Sequence, residues 1–374
     1  MNHAQARETG GVFLRGLFAA VKAMFRKKPK PLLFLVVADV LIAAFSLLLF
    51  SLNQFLIPRT YAGLGEVSTR PGLAAGAAEQ TPAPTMSASV TSNAATISPT
   101  APTVAEMATA EPISTADPVG YFGTKFADQF ISGDPQKTTV DGTTTYISQN
   151  VHITATAATD NDANVYICDI YIRDIANLAC GLADGKYGKG LRDWTANIAK
   201  ENGALIAING DYYGARSTGV VIRNGVLYRD DVSDSDVCVL YWDGTLEAYA
   251  PGDFDADEAM ARGAYQAWSF GPMLLDGAGT PLNSFNTSVG VHNPRTAIGY
   301  FEPGHYCFVV VDGRSKASAG MTAAELADFM SRLGCQQAYN LDGGQTSVMV
   351  WGSKVVNDPY KGGRKTSDII YIAD

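Results

Sequence analysis

Polar side chains that could do chemistry gather in the stretch 339–347, which reads Tyr-Asn-Leu-Asp-Gly-Gly-Gln-Thr-Ser. Its polar and flexible positions are Asn340, Asp342, Gly343, Gly344, Thr346 and Ser347. A glycine pair lets a ligand approach the main chain closely, and a carboxylate beside it can act as an acid, a base or a nucleophile. An ordinary tight turn capped by Asp342 explains the same residues equally well, so the remaining sequence has to decide.

A second predicted strand end carries the same residue types. The apolar run 204–208 fits a strand buried on both faces, and Asn-Gly-Asp-Tyr-Tyr follows it. The residues of interest there are Asn209, Asp211, Tyr212 and Tyr213. Two strand ends of this kind predict an active site at a sheet edge. An Asn-Gly-Asp turn is the simpler explanation, but paired tyrosines are more typical of a site that packs on sugar rings.

Carboxylates and arginines alternate at the predicted strand ends. A third carboxylate, Asp312, follows the apolar strand 306–311. The arginines near strand ends are Arg216, Arg295, Arg314 and Arg364. Carboxylates suit work at a glycosidic carbon, and guanidinium forks suit a phosphate, so the combination indicates a sugar–phosphate bond. Taken singly, each arginine is more simply a surface ion pair, although Arg295 and Arg364 stand in turn-rich segments.

The sequence lacks the residue patterns that several other types of site require. The histidines of the outer region, His152, His292 and His305, are far apart and lack zinc-site spacing. No Gly-x-Ser-x-Gly elbow and no P-loop is present. We therefore expect neither a metal nor a cofactor, with one alternative left open, which is that the clustered Asp and Asn side chains bind Ca²⁺.

The elements around these motifs predict an α+β fold with a large mixed, mostly antiparallel sheet and flanking helices. Asn224-Gly225 marks a hairpin within 220–229, and Asp243-Gly244 marks another. The clearest helix spans 322–333, where Thr322 and Glu325 form a capping box sequence. A second helix is expected at about 190–202.

The first 57 residues have the pattern of a membrane anchor. Residues 1–31 are basic, and residues 32–57 form an apolar run longer than the roughly 20 residues that a spanning helix needs. Basic residues ahead of the run predict a cytoplasmic N-terminus and an outer remainder. Asp39 lies near the basic flank, and the span can simply begin after it. We expect a single-pass protein of the cell membrane.

Two further regions follow the predicted anchor. Residues 58–118 are rich in Ala, Thr, Ser and Pro and are predicted to be a disordered tether. Residues 119–374 are long enough for one substantial core. Residues 60–374 hold 20 basic and 35 acidic residues, a net charge of −15. This balance argues against a nucleic-acid partner, because nucleic-acid binding requires a basic surface.

All five cysteines fall on the predicted outer side, where disulfides are permitted. They are Cys168, Cys180, Cys238, Cys307 and Cys335. Four of the five stand in apolar, strand-like runs or at the edge of one, which favours buried, inert thiols, and a Cys168–Cys180 bridge is the alternative.

Six motifs, in the right order, resemble the phosphodiester glycosidase family over roughly residues 120–374. They are the stretches 209–213, 271–274, 293–299, 312–315, 340–344 and 363–365. The family includes N-acetylglucosamine-1-phosphodiester α-N-acetylglucosaminidase and bacterial proteins of exopolysaccharide biosynthesis. The resemblance implies hydrolysis of an α-linked sugar-1-phosphodiester. With the predicted anchor, it implies a cell-envelope enzyme acting outside the membrane on a surface polysaccharide or wall polymer.

These considerations assign candidate roles. The candidate catalytic residues are Asp211, Asp312 and Asp342. The candidate substrate-binding residues are Asn209, Tyr212, Tyr213, Arg295, Arg314, Asn340, Gly343, Gly344, Thr346, Ser347 and Arg364. The arginines would hold the phosphate, while the asparagines and tyrosines would orient and line the sugar. The alternatives are a wall-associated module that grips phosphate-containing polymers without cleaving them, and a purely structural envelope protein.

Overall fold

The computed structural model describes residues 59–60, 67–71, 117–231 and 233–374. The basic segment 1–31 and the expected anchor 32–57 lie outside these residues, as does most of the expected tether. Within the described ranges, no helix has the length and apolar character needed to cross a membrane.

The described chain forms nineteen strands, three α-helices and several 3₁₀ turns. The strands are β1 (Arg59–Thr60), β2 (Gln136–Val140), β3 (Thr143–Ile147), β4 (Val151–Asp160), β5 (Ala163–Ile172), β6 (Leu178–Leu182), β7 (Gly188–Lys189), β8 (Ile206–Asn209), β9 (Gly219–Arg223), β10 (Val226–Asp231), β11 (Val237–Tyr241), β12 (Leu246–Tyr249), β13 (Ala264–Trp268), β14 (Arg295–Glu302), β15 (His305–Val311), β16 (Gln337–Asn340), β17 (Met349–Trp351), β18 (Lys354–Val355) and β19 (Asp368–Ile372). The helices are α1 (Thr195–Glu201), α2 (Ala256–Arg262) and α3 (Ala323–Arg332).

Three sheets carry the fold, besides the short β1–β7 pair. The first has seven strands in the order β16-β14-β15-β5-β4-β3-β2. The other two have five strands each, in the orders β10-β9-β13-β11-β12 and β18-β17-β8-β19-β6. The sequence predicted one large mixed, mostly antiparallel sheet, whereas the described strands divide into several sheets. Every named pairing in the described residues is antiparallel, because many short hairpins pair strands that are neighbours in the chain.

The sheets share one apolar core. Strand β5 alternates buried and half-buried residues, so that Ile170 and its same-face neighbours point inward. Ile153 of β4 and Phe308 of β15 extend this buried face. Ile208 of β8 and Ile370 of β19 meet it from the five-stranded sheet that contains the C-terminal strand. This sandwich fixes the strand ends at which the polar motifs stand.

Helix α3 covers the opposite face of the seven-stranded sheet. Its Leu326 and Met330 are fully buried against Val309 and Ala297. The Thr322 hydroxyl accepts a hydrogen bond from the Glu325 amide, and the Glu325 carboxylate accepts one from the Thr322 amide. The predicted capping box is thus confirmed, and its helix is the longest of the three.

The five cysteines are all free and buried. Cys168 lies on β5 of the seven-stranded sheet, and Cys180 lies on β6 of a different sheet. The possible Cys168–Cys180 bridge is not formed, and the two strands belong to different sheets. The expectation of buried thiols is confirmed.

Part of the segment predicted as tether lies on the folded domain. Strand β1 pairs with β7. Residues 67–71, here termed the strap, lie further along the surface, where Ser68 is buried and accepts a hydrogen bond of 3.0 Å from the Trp242 indole. Arg70 forms an ion pair of 2.8 Å with Asp174. The folded part of the chain therefore begins before residue 119.

Candidate functional site

A cavity of about 510 Å³ opens where several polar strand ends meet. It lies at the start of β14, beyond the ends of β15 and β16, and ahead of β19. Its charged lining residues are Arg216, Asp234, Arg295, Arg314, Asp342 and Arg364. Four guanidinium groups against two carboxylates make this cavity electropositive within an acidic domain. A concave site of this charge is suited to an anionic ligand.

Asp342 is the buried carboxylate of the cavity, with 6% of its surface exposed. Its Oδ2 accepts a hydrogen bond of 2.7 Å from Arg364, whose guanidinium also donates to the Thr346 hydroxyl. Burial raises the pKa of Asp342, while Arg364 and Thr346 oppose that rise. A carboxylate in this balance is a stronger base than a solvated one and still ionises beside its arginine.

Arg295 is a buried cation with no carboxylate partner in the described ranges. Its guanidinium donates only to main-chain oxygens, those of Met321 at 2.9 Å, Val289 at 2.8 Å and Val291 at 2.9 Å. Burial and the neighbouring Arg314 lower the pKa of Arg295 to about 10. A buried cation that no carboxylate neutralises is costly, and an anionic ligand in the cavity would remove that cost.

Arg314 and Arg216 likewise form no ion pair with a described carboxylate. Arg314 donates from Nε to the Asn293 side-chain oxygen at 2.9 Å, which orients its guanidinium. Arg216 donates to the Ser269 main-chain oxygen at 2.9 Å and stacks over the Phe270 ring at 4.4 Å. Neutral partners hold both side chains in place and leave their charges available to a ligand.

The glycine pair lets the main chain form part of the cavity wall. A Cβ atom on Gly343 would lie 2.8 Å from the Pro294 main-chain oxygen. Gly344 has a φ of +67° and donates its amide to the same oxygen at 2.9 Å. A side chain at Gly343 would displace the loop that holds Arg295, and a Cβ atom on Gly344 would lie 3.2 Å from the Arg314 guanidinium.

Asn340 faces the cavity with one atom unsatisfied. Its amide nitrogen donates to the Gly271 main-chain oxygen at 2.8 Å, beside the cis Gly271-Pro272 peptide bond. Its side-chain oxygen has no hydrogen-bond partner among the described residues. This oxygen is a buried, unsatisfied acceptor on a residue that lines the cavity.

Asp211 lies behind the cavity and does not line it. Its Oδ1 accepts a hydrogen bond of 2.8 Å from Arg223, and its Oδ2 accepts one of 3.0 Å from the Ser269 amide. Arg223 is fully buried and also pairs with Asp368 at 2.8 Å. The surroundings of Asp211 are those of a carboxylate that organises the fold.

Asp312 is also outside the lining. Its two oxygens accept hydrogen bonds from the Asn357 amide at 2.8 Å and the Asp358 main-chain amide at 3.0 Å. Burial raises the pKa of Asp312, against the effect of these donors. Both of its oxygens are occupied by protein groups, whereas Asp342 faces open space.

Asn209 and the two tyrosines support the site from outside the lining. Asn209 is fully buried and donates to the Asp342 main-chain oxygen at 2.7 Å, so it positions the loop that carries Asp342. Tyr212 has a φ of +58°, and its ring lies beneath the Arg364 guanidinium at 4.6 Å. Tyr213 is buried in a stack with Tyr187.

The hydroxyl residues after the glycine pair are buried as well. Thr346 is fully buried, and its hydroxyl accepts the hydrogen bond from Arg364 described above. Ser347 is buried, with no hydrogen-bond partner for its hydroxyl among the described residues.

The structure brings together seven of the predicted residues in the lining, namely Arg295, Arg314, Asn340, Asp342, Gly343, Gly344 and Arg364.

Twelve of the nineteen lining residues were absent from the predicted site, among them Arg216, Asn286 and Asn293. Arg216 had been noticed among the strand-end arginines, which was the available signal. Asn293, which orients Arg314, stands inside the motif 293–299. Asn286 belongs to a polar segment without any distinctive pattern, so the sequence offered no signal for it.

No group of three or more His, Cys, Asp or Glu side chains in the described part of the chain is arranged to hold a metal ion. The cavity has two aspartates but four arginines, a charge balance that disfavours Ca²⁺.

Comparison with known proteins gives a family match for this region. Residues 202–373 match the family model described as phosphodiester glycosidase. Over 182 residues the chain is 32% identical to the SPbeta prophage-derived uncharacterized protein YomE of Bacillus subtilis (strain 168). The alignment covers 46% of this chain and 28% of that relative, so it spans little more than a quarter of the relative's length.

Solved structures are similar only at low identity. The catalytic domain of zebrafish N-acetylglucosamine-1-phosphodiester α-N-acetylglucosaminidase, auto-inhibited by its pro-peptide, gives a TM-score of 0.49 at 20% identity, over 67% of this chain and 90% of that chain. A hypothetical protein from Synechocystis gives 0.48 at 12% identity, over 64% of each chain. A putative exported protein from Burkholderia pseudomallei K96243 gives 0.40 at 16% identity, over 57% of this chain and 74% of that chain. At these TM-scores the likenesses support no argument about this chain.

Proposed function

We propose that the chain hydrolyses a sugar-1-phosphodiester, because residues 202–373, which contain the six motifs, match the phosphodiester glycosidase family model. The observation that supports the proposal best is the cavity itself. Three of its arginines have no carboxylate partner in the described ranges, and the fourth holds the buried Asp342. A phosphodiester is an anion attached to a sugar carbon, so it matches both the charge and the carboxylate.

The arginines have the first role in the proposed reaction. Arg295 and Arg314 hold the phosphate oxygens, because both guanidiniums are fixed by neutral protein groups and carry uncompensated charge. As the bond to the sugar breaks, the phosphate gains a second negative charge. Preorganised cations stabilise that charge in the transition state more than in the bound substrate.

Asp342 has the second role. It takes a proton from water as the water oxygen bonds to the anomeric carbon, or it attacks that carbon directly and is released by water in a second step. In both routes the bond between the anomeric carbon and the phosphate oxygen breaks, and its electron pair leaves with the phosphomonoester. A phosphomonoester is a good leaving group, so the reaction needs little help from a general acid.

The sugar is oriented by the cavity wall. The free side-chain oxygen of Asn340 accepts a hydrogen bond from a sugar hydroxyl or from an acetamido N–H. The expected catalytic roles of Asp211 and Asp312 are not carried into this proposal, since protein donors occupy their oxygens outside the cavity. The proposed sugar is GlcNAc in α linkage, in keeping with the family resemblance.

The cellular setting belongs to the same proposal. The basic segment and apolar run before residue 58 motivate a single-pass anchor with the catalytic domain outside the membrane. The proposed natural substrate is then a cell-surface polysaccharide or wall polymer that contains sugar-1-phosphodiester bonds.

Hydrolysis of the p-nitrophenyl phosphodiester of α-GlcNAc-1-phosphate by the full-length chain tests the proposal. Mass spectrometry would follow free GlcNAc and p-nitrophenyl phosphate, and NMR would give the anomer first released. We expect release of both products, with kcat lowered about 10²- to 10⁴-fold in Asp342→Asn. The matched control is Asp253→Asn, which removes an exposed carboxylate outside the cavity and should leave kcat unchanged.

Two outcomes would count against the enzyme. Full activity in Asp342→Asn would remove Asp342 from the chemistry. Binding of the phosphodiester without turnover, lost in Arg295→Ala, would favour the non-catalytic phosphopolymer-binding module instead.

A further inference from the structure

A second concavity, of about 320 Å³, lies between the seven-stranded sheet and the β17–β18 hairpin. None of the residues that line it belongs to the lining of the catalytic cavity. We refer to it as the rim groove. Its side chains of interest are Lys137, Thr139, Thr144, Tyr166, Trp351 and Lys354.

Strand register explains why these side chains converge. Thr139 of β2 stands opposite Thr144 of β3, which stands opposite Ala155 of β4. Ala157 of β4 stands opposite Tyr166 of β5. Because side chains alternate along a strand, these positions share one face with Lys137. Near β5, core residues cover this face of the sheet. Towards β2 the face is open, and every residue of β2 is exposed.

The rim groove carries positive charge in an acidic domain. Lys137 and Lys354 both line it, and neither pairs with a carboxylate in the described ranges. Its lining contains no Asp or Glu. The Lys137 ammonium lies 4.6 Å from the centre of the Trp351 ring. This cation–π contact links β2 of one sheet to β17 of another.

The remaining lining fits a carbohydrate. Trp351 is half-buried and offers an aromatic surface on which the C–H face of a sugar ring can pack. Thr139 and Thr144 add hydroxyls that can donate and accept hydrogen bonds along an open strand face. Lysines, threonines and a tryptophan together match a polymer that has sugar rings and negative charges.

The rim groove also lies within a short distance of the catalytic cavity. Gln345 lines the cavity and Trp351 lines the rim groove, only six residues further along the chain. Six residues span at most about 21 Å, so one extended polymer can reach both.

We propose that the rim groove is an accessory site for an anionic glycan, which holds a neighbouring stretch of the polymer whose phosphodiester enters the catalytic cavity. The polymer substrate rests on the proposed function, but binding to the rim groove does not require turnover. The groove should therefore govern affinity for a polymer and leave a small phosphodiester unaffected.

Binding of yeast phosphomannan to the full-length chain, in an Asp342→Asn background that prevents turnover, tests the proposal. Phosphomannan contains sugar-1-phosphodiester bonds, and neutral mannan from the same source is the matched probe without charge. We expect Lys354→Glu to weaken phosphomannan binding at least fivefold, since each exposed charge contributes modestly. Lys200→Glu, which introduces the same charge change on α1, should bind like the parent.

A second variant tests the role of the aromatic surface. Trp351→Leu keeps an apolar side chain towards the core, and we expect it to weaken phosphomannan binding about tenfold. In the background with Asp342 intact, both groove variants should keep the kcat/KM of the p-nitrophenyl phosphodiester.

The outcomes separate this proposal from the proposed function. Unchanged phosphomannan binding in Lys354→Glu and Trp351→Leu would overturn the accessory site, even in an active enzyme. Equal binding of neutral mannan and phosphomannan would overturn its selection for negative charge. Loss of binding in both variants would support the accessory site even if the small phosphodiester is not hydrolysed.

Discussion

Arg223 holds two carboxylates in the interior of the domain. Its guanidinium lies 2.8 Å from both Asp211 and Asp368, and all three side chains are buried. One cation cannot neutralise two anions, and one Asp368 oxygen has no partner in the described part of the chain. Burial raises the pKa of Asp368 to about 7, despite the favourable charge of Arg223.

The raised pKa of Asp368 predicts a pH-dependent stability. Between about pH 4, the ordinary range of an aspartate, and pH 7, the folded state keeps a proton that the unfolded state has lost. The contribution of Asp368 to stability is therefore present at low pH and is lost as the pH rises to 7, with a slope of up to about 1.4 kcal/mol per pH unit. Urea unfolding at pH 5, 6, 7 and 8 would measure the slope.

The control for this experiment is Asp368→Asn, because asparagine resembles the protonated acid in shape and charge. The difference in unfolding free energy between the wild type and Asp368→Asn should change steadily from pH 5 to pH 7 and then level off. A constant difference across this range would contradict the assigned titration.

Single residues also show what the sequence could not reveal about the site. Asp211 and Asp342 have nearly the same local setting, an Asn-x-Asp or Asn-Gly-Asp at a strand end. They differ only in their partners, since Arg223 from a hairpin strand occupies Asp211 while Asp342 faces the cavity. That difference depends on long-range packing, which local pattern does not contain. The clustering of Arg295, Arg314 and Arg364 was predictable because each stands in a motif of its own.

Among the elements, α3 offers the clearest test of a local signal. Removing the hydroxyl in Thr322→Ala deletes one half of the capping box, and we expect the domain to lose about 1 kcal/mol. For a domain of this size, the melting temperature should fall by about 2–4 °C, which calorimetry can resolve. Thr322→Ser keeps the hydroxyl and should stay close to the wild type. Equal losses in the two variants would mean that packing of the threonine methyl group, not the cap, stabilises the helix start.

Elements with local signals were predicted, and elements that depend on distant partners were not. The Asn224-Gly225 hairpin forms as expected, with a positive φ at both residues. Strand β2 was not predicted, because its residues are all exposed and its sequence does not alternate apolar with polar residues. Helix α2 was also missed, because it is short and buries mainly Ala256, Ala259 and Met260.

At the scale of the whole molecule, the strap fixes part of the chain before residue 119 to the surface of the domain. The Arg70 side chain donates to the Val119 main-chain oxygen and pairs with Asp174. The chain is therefore held to the domain on both sides of residues 72–116. The length of that stretch does not set how far residue 59 lies from the domain.

This arrangement predicts that residues 72–116 can be removed. Replacing them with an eight-residue Gly-Ser linker, which spans up to about 25 Å, should leave the melting temperature and hydrolysis unchanged. Removing residues 59–71 instead should lower the melting temperature, because the Ser68 and Arg70 contacts are lost. A large loss of stability in the first deletion, measured by calorimetry, would contradict a strap that docks independently.

The position of β19 has a consequence for how the protein is made. This strand lies between β8 and β6 and pairs with both, so residues 368–372 complete a sheet in which its two partner strands come much earlier in the chain. On the ribosome, β6 and β8 emerge long before β19. Until then, the edges of β6 and β8 that pair with β19 are unpaired. Such edges invite pairing with other chains. The sheet behind the cavity can close only after translation has passed residue 372, so these strand edges stay exposed until then.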